Sequence, residues 1–285
     1  MEYSNPEIPE GINVTKTHPL KEFFLLSAGI FGVIIAFILA LSFFADKLSH
    51  YIPYSAEKKV AFNWFTTTDA DTPLQQYLQN LANRIAITQQ LPAEMNINVH
   101  IVNQEGVNAF ATLGGHVMFF QGLLEKIPNE NALAMVMAHE IAHIKHRHPI
   151  RSLGRGIVLG VAASLFSASL GNDLMGQYAG NAGLLSQLQF SREHETESDT
   201  TALTTMQALY GHVNGANDLF KLLLSEHGST YQPELFSTHP AIGSRMARID
   251  ELQRTAGQQI GNVTPLPAEY RQWLVTLAET TSDEE

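Results

Sequence analysis

The sequence predicts an α+β protein that is mostly helical, with a small sheet of about three strands and one transmembrane helix near the N-terminus. Three observations lead to this prediction. They are a long uncharged run near the start, a short region of alternating apolar residues in the first half, and helical apolar spacing over most of the second half. A chain of 285 residues is long enough to bury a substantial core.

The uncharged run extends from Phe23 to Ala45 and reads FFLLSAGIFGVIIAFILALSFFA. As a helix it would be roughly 34 Å long, enough to cross a ~30 Å hydrocarbon core. A cleaved signal peptide has a shorter apolar region and a basic start, whereas the polar tail over residues 1–22 is not basic. We therefore expect residues 23–45 to be a retained anchor in a lipid bilayer.

The orientation of this anchor is weakly specified by charge. Two lysines lie shortly before the run and three lie after it, so the positive-inside rule gives little direction. The short tail and the large downstream region fit a single-pass protein of a bacterial inner membrane. We expect the downstream region in the periplasm, with a cytoplasmic location as the alternative.

A connector over residues 46–70 is expected to lead into a folded domain over residues 71–262. Apolar residues recur at helical spacing after Pro73. Residues 96–102 then alternate as NINVHIV, and two further short apolar stretches, 107–112 and 116–120, are separated by a Gly-Gly pair that marks a turn. This pattern predicts the three strands.

After Pro128 the chain is predicted to be helical almost to its end. Asn129 is a suitable N-cap for a helix that Pro149 terminates. The apolar stretch 156–171 is short for a membrane span, so we favour a buried or substrate-facing helix. More helices are expected near residues 150–170, 180–209, 213–226 and 241–254, followed by a C-terminal tail over residues 263–285.

The composition excludes several classes of function. The net charge of −11 argues against nucleic-acid binding, which usually requires a basic surface. The chain has no cysteine, so disulfides, thiolate metal sites and cysteine nucleophiles are excluded. Any metal must therefore be held by histidine, aspartate or glutamate.

Residues 139–143 read HEIAH, an H-E-x-x-H motif in a segment of helical pattern. His139 and His143, four residues apart on a helix, share a face and can bind one zinc ion, while Glu140 lies beside them as a candidate general base. The alternative is an ordinary helix with two surface histidines. His146 is an alternative ligand, but it and His148 fit a solvated basic helix end better.

A catalytic zinc site needs a third protein ligand. The segment SREHETESDTTAL offers four carboxylates, and helical spacing pairs Glu195 with Asp199 and Glu193 with Glu197. Spacing alone does not choose between the two pairs, and without the upstream motif the segment would be read as a solvated acidic helix face.

Taken together, HEIAH, ETESD and the later STHP resemble family forty-eight of the metallopeptidases, the HtpX-like and CAAX-prenyl-protease-like gluzincins, in its single-anchor bacterial type. The resemblance covers roughly residues 71–253. It implies a zincin-like metalloprotease domain with an active-site helix, one Zn²⁺ per chain and polypeptide substrates. The family's multi-pass members have several spans around the site; one clear span here argues against a membrane-enclosed chamber.

The resemblance also implies roles for individual residues. His139, His143 and Glu195 correspond to the zinc ligands, and Glu140 corresponds to the catalytic glutamate. Asp199 corresponds to an aspartate that hydrogen-bonds a zinc histidine.

Two further elements come from the same resemblance. His239 corresponds to a histidine that donates a hydrogen bond to the oxyanion, while the role of the matching Arg245 stays open. The segment NAFATLGGHVMFF resembles the family's edge strand, which binds substrate as an added strand. Its candidate substrate-binding residues are Asn108, Ala109, Phe110 and Ala111; an ordinary core strand is the alternative.

The expected function is therefore hydrolysis of peptide bonds in misfolded membrane or envelope proteins. The principal alternative is a non-catalytic, zinc-containing binding or assembly factor at the membrane; a scaffold with an incidental metal site is a third hypothesis. The sequence does not indicate an oligomeric state.

Overall fold

A computed structural model describes residues 19–49, 51–62, 72–154, 190–227, 235, 239, 242–255 and 261–282. It confirms the mostly helical α+β class. The strands are β1 (Asn98–Val102), β2 (Ala109–Ala111) and β3 (His116–Phe120). The helices are α1 (Pro19–Ser49), α2 (Tyr54–Phe62), α3 (Pro73–Thr88), α4 (Gln121–Lys126), α5 (Glu130–Lys145), α6 (Arg192–Tyr210), α7 (Asp218–His227), α8 (Ile242–Thr255) and α9 (Tyr270–Ser282). The apolar stretch 156–171 lies outside the described residues.

Helix α1 contains the uncharged run and extends beyond it at both ends. The segment Leu20–Ala40 has a mean hydropathy of 2.7 and is not buried against the rest of the protein. Most of its large apolar side chains are exposed, including Val33 at 70%. A core helix of this composition would be covered, so α1 has the length and surface of a membrane-spanning helix.

The sheet has the strand order β1-β3-β2. Strand β3 pairs in parallel with β1 and antiparallel with β2, with Ala111 opposite Val117. Strand β2 therefore forms one edge. A 3₁₀ turn over Leu113–Gly115 connects β2 to β3, and Gly114 and Gly115 both adopt positive φ there, as the predicted Gly-Gly turn requires.

The core lies between the sheet and three helices, with α5 at its centre. Helix α5 is buried along nearly its whole length, from Glu130 to Ile144, and Asn129 caps it by accepting a hydrogen bond from the backbone N–H of Ala132 at 2.8 Å. Helices α3 and α6 pack against it. The HEIAH motif is therefore carried by the most buried element of the fold.

Two segments outside the predicted domain also pack onto this body. Helix α2, in the predicted connector, contacts the Leu113–Gly115 turn, and its Glu57 is buried in an ion pair with Arg147. Helix α9, in the predicted C-terminal tail, buries Tyr270, whose hydroxyl donates to the carbonyl oxygen of Leu124 at 3.0 Å. Polar composition concealed both contacts, because each helix buries only a few side chains.

Candidate metal centre

Helices α5 and α6 bring three candidate metal ligands together in the interior. Nε2 of His139 lies 3.0 Å from Nε2 of His143, and the two carboxylate oxygens of Glu195 lie 3.4 and 3.5 Å from these respective nitrogens. All three side chains are at most 5% exposed. The three residues that the sequence proposed as zinc ligands are thus adjacent.

These separations match the requirement of a tetrahedral zinc ion. Zinc binds imidazole nitrogen and carboxylate oxygen at about 2.0–2.2 Å, and a tetrahedron of that size places its donor atoms roughly 3.3–3.5 Å apart. The observed distances of 3.0, 3.4 and 3.5 Å lie close to this range, the last two being measured to the two different oxygens of Glu195. The donor set, two imidazoles and one carboxylate without thiolate, is one that zinc accepts.

His239 joins the same cluster from the segment that precedes α8. Its Nδ1 lies 3.0 Å from Oε1 of Glu195 and 3.2 Å from Nε2 of His139, so four potential donors lie within 4.8 Å of one another. On its other side, Nε2 of His239 lies 3.4 Å from Oε1 of Glu140, and neither atom has a hydrogen bond within the described residues. His239 therefore stands between the candidate ligands and the candidate base.

Asp199 and Arg245 form polar contacts with the candidate metal ligands. Oδ1 of Asp199 lies 3.0 Å from Nδ1 of His139, the nitrogen that faces away from Glu195. Arg245 donates to both oxygens of Asp199, at 2.8 and 2.7 Å, and its Nη1 lies 2.9 Å from Oε2 of Glu195. The guanidinium whose role the sequence left open thus links two carboxylates on α6.

Burial separates the two acidic pairs that helical spacing left unresolved. Glu195 and Asp199 are each 2% exposed, whereas Glu193 and Glu197 face the outside of α6. His146, the alternative ligand, is half-buried, and its Nε2 forms a hydrogen bond with Thr201 Oγ1 at 2.8 Å. It is not part of the donor cluster.

Glu140 is held by the edge strand. The backbone N–H of Ala111 donates to Oε2 of Glu140 at 2.8 Å. Because Asn108 and Thr112 direct their backbone groups to β3, the alternation of an antiparallel pair points those of Ala109 and Ala111 to the outer edge. The outer edge of β2 therefore leads directly to the candidate base, although the side chains of Ala109, Phe110 and Ala111 are themselves buried.

The ionisation of the cluster suits a cation. Burial lowers the pKa of His143 well below its ordinary value, which keeps this imidazole neutral. Burial and the charge of Arg245 also act to lower the pKa of His139, but Glu195 and Asp199 outweigh them and raise it to about 9. The carboxylates thus favour a positive charge beside them, and a bound metal ion would supply it in place of that proton.

The pKa values of the two carboxylates that face the histidines are shifted in opposite directions. Burial alone would raise the pKa of Glu195, but His239 and His139 hold it well below its ordinary range, so Glu195 stays ionised. Burial raises the pKa of Glu140, and the nearby imidazoles only partly oppose this. A raised pKa brings a general base closer to the pH at which it must both accept and release a proton.

Two residues near the centre were misread or missed from the sequence. His148 was assigned to a solvated helix end, but its side chain is fully buried, and its Nδ1 lies 3.0 Å from Nδ1 of His143. Phe190 stacks on the ring of His143 at 3.9 Å. No pattern identifies either contact, because Arg147 adopts a positive φ of 59° and turns the chain back towards α5.

The region that carries this cluster is similar to known proteins. The model of "Peptidase family M48" matches residues 73–253. A mitochondrial metalloendopeptidase OMA1 of Schizosaccharomyces pombe is 32% identical over 183 residues, covering 63% of this chain and 53% of the relative. A beta-barrel assembly-enhancing protease of Escherichia coli K12 is 29% identical over 190 residues, covering 62% and 38%. A protease HtpX homolog of Burkholderia ambifaria is 25% identical over 277 residues, covering 81% and 93%.

The extent of these matches differs. The chain spans about half, or less, of the length of the first two relatives, so they are compared with it over a shared domain only. The HtpX homolog is matched over nearly its whole length.

Proposed function

Because the chain belongs to peptidase family M48, we propose that it is a zinc metalloendopeptidase anchored in a membrane by α1. The single observation that carries this proposal is the convergence of His139, His143 and Glu195 at tetrahedral separations beside Glu140. These three residues would hold one zinc ion per chain.

The ion and the protein divide the chemistry between them. A zinc ion bound by this donor set supplies Lewis acidity, which lowers the pKa of water towards about 7 and polarises a carbonyl group. Glu140 accepts the proton from the attacking water through the carboxylate that Ala111 orients, and later passes it to the leaving amine. Asp199 holds the proton of His139 on Nδ1, which keeps the lone pair of Nε2 available to bind the metal.

His239 and the edge strand are assigned to the substrate. Nε2 of His239 lies on the Glu140 side of the cluster, where a hydrogen bond from it would stabilise negative charge on the carbonyl oxygen under attack. We propose that a substrate segment extends along the outer edge of β2 and pairs with the backbone of Ala109 and with the carbonyl group of Ala111, whose N–H is bonded to Glu140. Such pairing would deliver the peptide bond to Glu140, because Ala111 contacts both.

The proposed setting is the bacterial inner membrane. Helix α1 supports single-pass anchoring, since its apolar side chains are exposed over a length that crosses a bilayer. We propose that the catalytic domain is periplasmic and that its substrates are misfolded membrane or envelope proteins. The name of one relative, the beta-barrel assembly-enhancing protease, refers to the assembly of β-barrel proteins, which suits envelope proteins as substrates.

The proposal is tested with the full chain purified in detergent. Wild-type protein should contain one zinc ion and should digest casein, and a chelator should abolish this digestion. The Glu140→Gln variant should keep its zinc and lose cleavage by at least ~10²-fold, because the amide cannot accept a proton. Glu193→Gln, an exposed carboxylate on α6, serves as the matched control and should cleave normally.

Other outcomes would contradict this function. Normal cleavage by Glu140→Gln would remove the assigned base. Wild-type protein that binds zinc but cleaves no polypeptide would favour the alternative of a non-catalytic binding or assembly factor. Wild-type protein without zinc would refute the metal centre itself.

A further inference from the structure

We propose that His148 is a positioning residue, which fixes the ring of His143 for metal binding through a hydrogen-bonded chain that ends at Glu197. The inference rests on the proposed function, since it assigns a role towards the same ion. It concerns a residue that lies outside the H-E-x-x-H motif and that makes no direct contact with Glu195 in the described structure.

The first link of the chain is set by the orientation of His143. Its Nε2 faces the other donors, 3.0 Å from Nε2 of His139. A metal-binding imidazole keeps a lone pair on the binding nitrogen, so the proton of His143 must be on Nδ1. That nitrogen lies 3.0 Å from Nδ1 of His148 in the interior, where an unpaired N–H would be costly.

The second link follows from the first. If Nδ1 of His148 accepts this hydrogen bond, the proton of His148 must be on Nε2. Nε2 of His148 lies 3.1 Å from Oε2 of Glu197, a carboxylate that can accept it. The hydroxyl of Ser198 also lies 3.3 Å from Nδ1 of His148 and can donate to the same nitrogen. Each nitrogen of His143 and His148 thereby has a defined role.

The rings are also held by stacking. His148 lies parallel to His194 at 4.0 Å with an interplanar angle of 9°, and Phe190 covers His143 at 3.9 Å. Arg147, which precedes His148, is held at a φ of 59° while its guanidinium is paired with the buried Glu57. A non-glycine residue is strained in this conformation, so the turn that returns His148 to α5 is maintained by its surroundings.

The hydrogen-bonded chain at Nδ1 of His143 corresponds to the direct carboxylate contact at Nδ1 of His139. Asp199 faces Nδ1 of His139 directly, whereas Glu197 reaches Nδ1 of His143 through an intervening imidazole. Both carboxylates come from α6, two residues apart, so a single helix orients both histidines of α5. Partners of this kind typically change metal affinity by about 10- to 100-fold when they are removed.

The test measures metal affinity rather than proteolysis. Zinc affinity is determined by competition with a chromophoric chelator, and the donor geometry is followed by the visible absorption of Co²⁺ bound in place of zinc. His148→Leu should raise the zinc dissociation constant ~10- to 100-fold and alter the Co²⁺ spectrum. His148→Asn, whose Oδ1 can accept from Nδ1 of His143, should recover most of the affinity.

Two controls separate positioning from a general loss of structure. His146→Ala removes a half-buried histidine that bonds Thr201 and whose Nδ1 lies 3.1 Å from Oε1 of Glu197, so it should weaken zinc binding less than His148→Leu does. If His148→Leu does not fold, Glu197→Ala decides, since Glu197 is 45% exposed and its loss should weaken zinc binding several-fold. Glu193→Ala on the same helix should have no effect.

The proposal is overturned if His148→Leu, or Glu197→Ala where the leucine variant does not fold, binds zinc and Co²⁺ as the wild type does. It is also overturned if the asparagine variant is as impaired as the leucine variant while both melt at the same temperature without metal. Zinc-loaded wild type that cleaves nothing would refute the proteolytic function alone and leave these measurements interpretable.

Discussion

Nδ1 of His139 lies 3.0 Å from Oδ1 of Asp199, and this contact leaves Nε2 of the same ring directed at Glu195. The carboxylate is buried and ionised, since Arg245 and His139 overcome the effect of burial and hold its pKa well below the ordinary range. A negative charge at this position makes the imidazole a stronger metal ligand and also fixes the orientation of its ring.

Replacing Asp199 by asparagine removes that charge while keeping the size of the side chain. We expect the zinc dissociation constant to rise by ~10-fold or more, because the ring loses its ionised partner. Chelator competition on the purified protein provides the measurement. Glu193→Gln, also on α6 but exposed, is the control, and an unchanged affinity for Asp199→Asn would show that the contact does not support metal binding.

The guanidinium of Arg245 joins the carboxylates of Asp199 and Glu195, and replacing Arg245 tests what this link contributes. Its guanidinium donates twice to Asp199 and approaches Glu195 at 2.9 Å. Lysine keeps the charge but cannot make this planar contact, so Arg245→Lys should lower the free energy of unfolding of the metal-free protein by about 1.5–3 kcal/mol.

Denaturant titration of Arg245→Lys and of Arg248→Lys measures this difference. Arg248 lies on the same helix, but its bond to Thr200 is exposed, so its replacement should change the stability by less than about 0.5 kcal/mol. Equal stability of the two variants would contradict the role given to the contacts of Arg245 with Asp199 and Glu195.

Separate measurements of zinc affinity and of kcat distinguish whether His239 is an oxyanion donor or a metal ligand. As an oxyanion donor it should contribute to the transition state only, so His239→Ala should lower kcat by ~10²–10³-fold and leave zinc affinity unchanged. Its Nδ1 also lies 3.0 Å from Glu195, within the donor cluster. A large loss of zinc affinity with little change in kcat of the loaded enzyme would instead make it a ligand.

Membrane orientation is tested by alkaline phosphatase, which folds to its active form only in the periplasm. Fusion after residue 55, which retains α1, should give an active reporter. An inactive reporter at this position would place the catalytic domain in the cytoplasm. The lysines on the two sides of α1 are too evenly distributed to decide this from charge.

The sequence predicted the parts of this centre that depend on local periodicity. His139 and His143 lie one helical turn apart, so their common direction follows from helix geometry alone. Strand alternation likewise predicted the three strands and the Gly-Gly turn. The choice of Glu195 over Glu193 needed the family resemblance, because both fit the spacing and only the packing of α6 on α5 buries one of them.

The remaining contacts depend on non-local packing, which periodicity does not encode. His148 reaches His143 only because Arg147 adopts a left-handed conformation, and a histidine after a helix is normally read as a solvated cation. Glu57 lies in a polar segment shortly after α1, and nothing in that segment indicates a buried partner 90 positions away. Such pairs are specified by the whole fold.

The turn between β2 and β3 provides the last prediction. Gly115 has a φ of 89°, and a Cβ on it would lie 2.0 Å from the carbonyl oxygen of Asn96. Gly115→Ala should therefore lower the free energy of unfolding by at least ~1–3 kcal/mol, because it adds a backbone clash to a strained conformation. The same turn fixes β2, whose Ala111 orients Glu140, so kcat/KM should fall as well.

Gly243→Ala, which meets no atom within 4 Å in α8, should be neutral or slightly stabilising, since alanine favours helix. Thermal unfolding and casein digestion by both variants give the comparison, and a stable, fully active Gly115→Ala would show that this turn does not hold the edge strand in place.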